Sequence, residues 1–296
     1  MDGPAVHAPP VHVESTVRDE ADDFERAVSV IPDRSLAVPF GSDLWLDGIL
    51  GLLIGLCVGS LIANYARSWP DLRRFLAGRS RCGGCGRRLG VPDLVPVASW
   101  LVLRGRCRRC GVAVPAYYTR VELTAGGVGL LAAILLPSAA GWCAALVGWT
   151  LLAMVLVDLD HLVLPDALTL PLLAAGLAVA VLGTLDAAWP GPGPAPAAAG
   201  VVLGGGGLWA VRTLYRRWRG REGLGLGDVK LFAAAGGWCG AEALPWVLLA
   251  AASGGLLFAF AHGLDWRSTR PLPFGPALAA AFWVVMLIGW HGARPG

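Results

Sequence analysis

Charge is scarce in this chain. Only 15% of its 296 residues are Asp, Glu, Lys or Arg, where soluble domains carry about 25%. Lysine is nearly missing: Lys230 is the only one, and the other basic side chains are arginines. The amino terminus lacks the basic stretch that opens a signal peptide. The 41 glycines and 21 prolines lack a period of three, which excludes collagen. What remains is apolar: 55% of residues are hydrophobic and mean hydropathy is +0.60. That balance excludes an ordinary cytosolic enzyme and an intrinsically disordered chain. The main solvent is lipid, in which glycine lets helices approach closely.

Apolar runs recur near 45–65, 121–138, 141–157, 163–184, 196–211, 229–241, 244–262 and 274–291. These predict an all-α polytopic membrane protein of about eight transmembrane helices. The run 229–241 is the weakest, being short against the ~20 residues a bilayer requires. Residues 1–47 hold ten acids against three arginines, whereas 66–120 hold twelve arginines against Asp71 and Asp93. Positive charge marks the cytoplasmic side. With the amino terminus outside, alternation puts 66–120, 212–221 and 263–273 in the cytoplasm, and these hold nearly all the remaining arginines. The turns expected outside (138–140, 185–195, 242–243) carry none. An odd number of spans breaks this agreement. The expected organisation is a disordered acidic tail over 1–43, a first transmembrane helix over 44–65, a cytoplasmic four-cysteine insert over 66–120, and a seven-helix membrane core over 121–292. Beside apolar spans a basic segment sets orientation, so no nucleic-acid partner is expected; the lipid bilayer is.

Inside the insert, Cys82-Gly-Gly-Cys85 and Cys107-Arg-Arg-Cys110 are 21 residues apart. Two CxxC knuckles can present four thiolates tetrahedrally to structural Zn²⁺, and the reducing cytoplasm disfavours disulfides. Eight arginines within 79–109 would favour thiolates. Redox dithiols and uncoordinated thiols are the competing readings. Cys57, Cys143 and Cys239 sit singly in apolar runs and read as small buried hydrophobes.

Ionisable residues at membrane depth are costly and usually functional. Asp158, Asp160, His161 and Asp166 lie between the third and fourth spans. Gly225, Gly227, Asp228 and Lys230 open the sixth. Both clusters fall on the cytoplasmic side of a topology drawn without them. Two carboxylates can share a proton, one acting as base on water while the other donates to a substrate carbonyl. The bland alternatives are a helix N-cap for Asp228 and interfacial charges at helix ends for the others. His161 reads as interfacial, and the glycine spacing lacks the strand and the full pattern of a nucleotide loop.

At these residues the sequence resembles the bacterial type IV prepilin peptidases, leader peptidases of the GxGD membrane aspartic protease class. The motif G-x-G-D-x-K-L matches Gly225, Gly227, Asp228, Lys230 and Leu231. The motif I-D-x-D-x-x-x-x-P-D matches Asp158, Asp160, Pro165 and Asp166, with Val157 for Ile. The tetracysteine segment S-W-L-x-L-R-G-R-C-x-x-C matches Ser99 through Cys110, and Val121-Glu122 resembles the end of Y-P-L-V-E. In place of the family's G-S-F-L-N stands Gly59-Ser60-Leu61-Ile62-Ala63-Asn64, and Thr119-Arg120 replaces Pro-Leu.

The resemblance implies catalytic aspartates at Asp158 and Asp228, with Gly225, Gly227, Lys230, Asp160 and Asp166 supporting the site. It implies cleavage of class III leader peptides of pilin or pseudopilin precursors at the cytoplasmic face of the inner membrane. It further implies N-methylation of the new amino terminus from S-adenosylmethionine, with Gly105 and Glu122 as candidate contributors. A non-enzymatic zinc-knuckle scaffold of a pilus or type II secretion assembly is the alternative of another class. A proton-relay transporter fits less well, because its acids belong at mid-bilayer.

Overall fold

The computed structural model describes residues 44–77, 80–136, 138–186, 188–261 and 274–293. The expected tail 1–43 and the arginines at 267 and 270 lie outside the described residues. Among the described residues the elements are helical: α1 (Leu44–Ser68), α2 (Leu72–Ala77), α3 (Ala98–Val102), α4 (Tyr117–Leu135), α5 (Ala139–His161), α6 (Asp166–Leu182), α7 (Pro194–Arg219), α8 (Leu226–Cys239), α9 (Leu244–Ala261) and α10 (Gly275–Gly292), with three short 3₁₀ turns. The chain is an all-α, multi-pass membrane protein, and each of the eight apolar runs forms a helix.

Seven of these helices are long and apolar enough to cross a bilayer. The eighth, α8, has 14 residues and spans about 21 Å at 1.5 Å per residue, short of the ~30 Å hydrocarbon core. Its residues from Leu231 to Trp238 are all buried, because α6, α7 and α10 pack around it. Two helices outrun their apolar stretches. Helix α7 continues through Arg212, Arg216, Arg217 and Arg219 and stops at Gly220, which takes a left-handed φ of 66°. Helix α5 runs on through Asp158 and Asp160 and closes at Leu162, whose amide donates to the Asp158 carbonyl at 2.8 Å. Those acids therefore sit on the last helical turn rather than in a loop.

Alanines and glycines fill the closest helix contacts, larger side chains such as Phe282, Met154 and Leu231 fill the centre, and Leu53, Leu203, Trp209 and Leu257 face outward. In lipid the driving force is close backbone approach rather than burial of large apolar groups. The α1–α4 pair shows this best. Gly51, Gly55 and Gly59 repeat every fourth residue along α1 and lie against α4; a Cβ on Gly55 would fall 2.8 Å from Gly126 Cα, and one on Gly59 2.6 Å from Glu122 Cα. Tryptophan indoles tie other helices through spare carbonyl lone pairs. Trp149 donates to Ala125 O at 2.8 Å, Trp238 to Leu172 O at 2.8 Å, and Trp283 to Ala144 O at 2.9 Å. These bonds link α5 to α4, α8 to α6 and α10 to α5.

Candidate functional site

Two helix ends and one loop make the acidic site. Asp158 ends α5 and is buried, 6% exposed. Asp228 lies in the first turn of α8, where Gly225 is the N-cap. Asp228 is thus the third helical residue, not the cap, and its carboxylate turns back to the Gly225 amide, as an acid at that position commonly does. Asp158 and Asp228 face one cavity of about 450 Å³ and are close enough to repel one another. Between them the loop Val163–Pro165 inserts Leu164, which is buried. A Cβ on Gly227 would come 2.9 Å from Leu164 Cβ, so glycine is what lets the start of α8 close on that loop.

Asp166 opens α6 and accepts from Lys230 through both carboxylate oxygens, at 2.7 and 2.8 Å. This pair spans α6 and α8 at the mouth of the cavity and leaves buried Asp158 and half-buried Asp228 without a cationic partner from the lysine. Asp158, Asp166, Gly225, Gly227, Asp228 and Lys230 are therefore brought together. Asp160 is not: it is exposed and lies outside the cavity lining. His161 is exposed beside it. Sequence reasoning missed Trp69, just beyond α1, and Leu164, both of which line the cavity.

The four cysteine sulfurs lie within 4.8 Å of one another, and Cys82 Sγ is 3.7 Å from Cys110 Sγ. A tetrahedron with Zn–S bonds of ~2.3 Å has S–S edges of about 3.8 Å, so the residues fit the ion. The two knuckles are near copies. Cys82 N–H donates to Arg87 O and Gly86 N–H to Cys82 O; Cys107 N–H donates to Val112 O and Gly111 N–H to Cys107 O. Gly86 and Gly111 have φ of 67° and 68°, where a side chain is strained. The Cys85 and Gly84 amides, then the Cys107 thiol, draw the Cys82 thiol down to about 6, and the Cys110 and Arg109 amides lower Cys107. Turn amides favour these two thiolates, whereas Cys110, despite the Val112 amide, is pushed up to about 11 by burial and the neighbouring thiols. Arg87 and Arg108 both pair instead with Asp93, which also accepts from the Gly90 amide at 3.2 Å and so ties the two knuckles together.

A second cavity, of about 490 Å³, lies between this insert and the adjoining ends of α1 and α4. Glu122 lines it, buried, and accepts the Val97 amide at 2.8 Å. Asn64 and Trp100 also line it. Gly105 does not; it supports Trp100 from behind, where a Cβ would meet the indole at 2.9 Å. Arg67 lies 5.6 and 5.7 Å from the Tyr117 and Tyr118 rings.

Comparison with known proteins gives a consistent result. Residues 53–136 match the bacterial peptidase A24 N-terminal domain, and residues 145–260 match the type IV leader peptidase family. The chain is 39% identical over 217 residues to a prepilin leader peptidase/N-methyltransferase of Dichelobacter nodosus, covering 73% of each chain. It is 39% identical over 218 residues to one from Aeromonas salmonicida (strain A449), again 73% of each. It is 37% identical over 286 residues to one from Burkholderia pseudomallei (strain K96243), covering 86% of this chain and 88% of the relative. No solved structure matches.

Proposed function

Because the chain belongs to the type IV leader peptidase family, we propose that it is a membrane aspartic endopeptidase in which Asp158 and Asp228 perform the cleavage. The observation that carries this reading is the convergence of the two carboxylates, from opposite helix ends, on one cavity. One of them, ionised, takes a proton from water as the oxygen attacks the scissile carbonyl carbon. The other, protonated, donates to the carbonyl oxygen. The C–N bond then breaks and the leaving nitrogen receives the proton. Like charges held close together keep one acid protonated while its partner ionises. The Lys230–Asp166 pair holds α6 and α8 in register around them.

The substrates are pilin-like precursors. Their apolar segment packs among the helices and their basic leader meets the cytoplasmic surface. With α8 counted as a short eighth pass buried among its neighbours, the arginine distribution supports an inner-membrane topology with the amino terminus outside and the acidic site inside. The organisation proposed is a first helix, a cytoplasmic cysteine insert and a seven-helix peptidase core. Cys82, Cys85, Cys107 and Cys110 hold structural zinc, which fixes a segment with little core of its own.

N-methylation of the new amino terminus is assigned to the second cavity. S-adenosylmethionine, when bound there, supplies the methyl group. The Glu122 carboxylate offers an anion to a cationic ligand or amine, Trp100 offers a ring face, and Asn64 a polar contact. The test is processing of a pilin-like precursor in membranes by the parent, Asp158→Asn and Asp228→Asn, with the mass of the mature amino terminus read alongside. Loss of cleavage in both variants with normal membrane accumulation is expected. Retained cleavage in either would remove that aspartate from the mechanism. Retention in both, with loss of pilus or secretion assembly on Cys82→Ser, would favour the scaffold.

A further inference from the structure

A third helix reaches the acidic site. Helix α10 packs against both α5 and α8, the helices that carry Asp158 and Asp228, and its core side chains Leu278 and Phe282 are fully buried. Its first residue, Gly275, is itself buried. A Cβ built there would fall 2.5 Å from Asp158 Oδ2, 3.0 Å from its Cγ and 3.4 Å from Leu164 Cδ2. The Gly275 amide is a hydrogen-bond partner of the Asp158 carboxylate. The next residue is Pro276, which has no N–H to offer. Leu164 is thus enclosed by two glycines, Gly227 beside Asp228 and Gly275 beside Asp158.

We propose that Gly275 is a positioning residue for Asp158: its amide orients the carboxylate, and its missing side chain leaves the space in which that carboxylate sits. The inference rests on Asp158 being catalytic. It adds a residue some 115 positions downstream in sequence, far from both acidic motifs, to the machinery of cleavage. A methyl group at 275 meets the end of a side chain before it meets backbone. The fold can yield there by rotating Asp158, and the reaction geometry cannot. A displacement of about 1 Å of a reacting group lowers turnover by roughly 100-fold.

The test compares parent, Gly275→Ala, Asp158→Asn and Gly289→Ala in the full-length protein in membranes, with a purified pilin-like precursor as substrate. Gly289 is on the same helix with open space at its Cβ position. The expected result for Gly275→Ala is kcat reduced by about 100-fold, KM within about twofold, and thermal unfolding close to the parent's. Gly289→Ala should match the parent. A Gly275→Ala enzyme with unchanged kcat overturns the proposal, and so does one that fails to accumulate or loses KM and kcat together, since those outcomes make the glycine a packing residue. Cleavage by Asp158→Asn would instead defeat the catalytic reading on which the proposal rests.

Discussion

The α1–α4 contact predicts that the two activities can be separated from a distance. Gly55 lies one helical turn from Gly59 and about one and a half from Ser60, the nearest of the α1 residues (Ser60, Asn64 and Arg67) that share a cavity with Glu122. In Gly55→Ala the new Cβ would stand 2.8 Å from Gly126 Cα and 2.9 Å from the Ala125 carbonyl carbon. Ordinary carbon contacts are about 3.5–4.0 Å, so α1 must withdraw from α4 by about 1 Å. Both partners are backbone and neither can rotate away. Overpacking of this kind costs about 1–3 kcal/mol. The withdrawal passes along α1 to its end and widens the cavity by a similar amount, which is enough to lower methyl transfer by about 100-fold. Asp158 and Asp228 belong to α5 and α8, and α1 reaches their cavity through Trp69 alone, so cleavage should fall by far less than methyl transfer. Mass spectrometry of the mature product reads both events at once, as the fraction cleaved and the fraction of cleaved chains methylated. Gly127→Ala, where a Cβ meets nothing within 4 Å, is the control. Full methylation in Gly55→Ala, or a parallel fall in cleavage, would refute the reasoning.

Two further outcomes follow from charge pairs. Lys230→Ala and Asp166→Ala should each destabilise slightly and the double variant little more than either; Asp166 is 58% exposed, which limits the coupling to about 0.5–1 kcal/mol, and a thermal-unfolding cycle with zero coupling would sink the pairing. The Gly90 amide, then Arg108 and Arg87, hold Asp93 below the ordinary carboxylate range. Its stabilisation of the insert is therefore complete above the ordinary value of about 3.9 and is lost as pH falls through the lower folded value. Asp93→Asn should be less stable at neutral pH, and the gap should close in acid, followed by the fluorescence of Trp100; a pH-independent gap would contradict the ion-pair account.

The spans were legible because lipid rewards uninterrupted apolar sequence, and each run reappears as a helix. Their ends were less so. Nothing in the arginine-rich 212–219 segment signals helix by hydropathy, yet α7 continues through it, since arginine is a good helix former and cations suit a helix C-terminus. The acidic motifs pointed to a loop and a helix start that meet at one cavity. Their spacing could not say that Asp166 would bind Lys230 while Asp160 stayed exposed outside the cavity, because the phase of a residue on a helix end decides which side a carboxylate faces. Gly275 carried only the signal of a helix start before a proline. Its proximity to Asp158 depends on how α10 packs, which is a long-range fact.

The solitary lysine has an experimental consequence. Amine-directed acylation of this chain can modify only one side chain, and that side chain is bound to Asp166 across the mouth of the acidic cavity. Its reactivity is therefore a built-in gauge of that site. The lysine peptide, resolved from the acylated amino terminus and quantified with and without bound precursor, would report how firmly the α6–α8 lock is held, with no competing lysine to subtract.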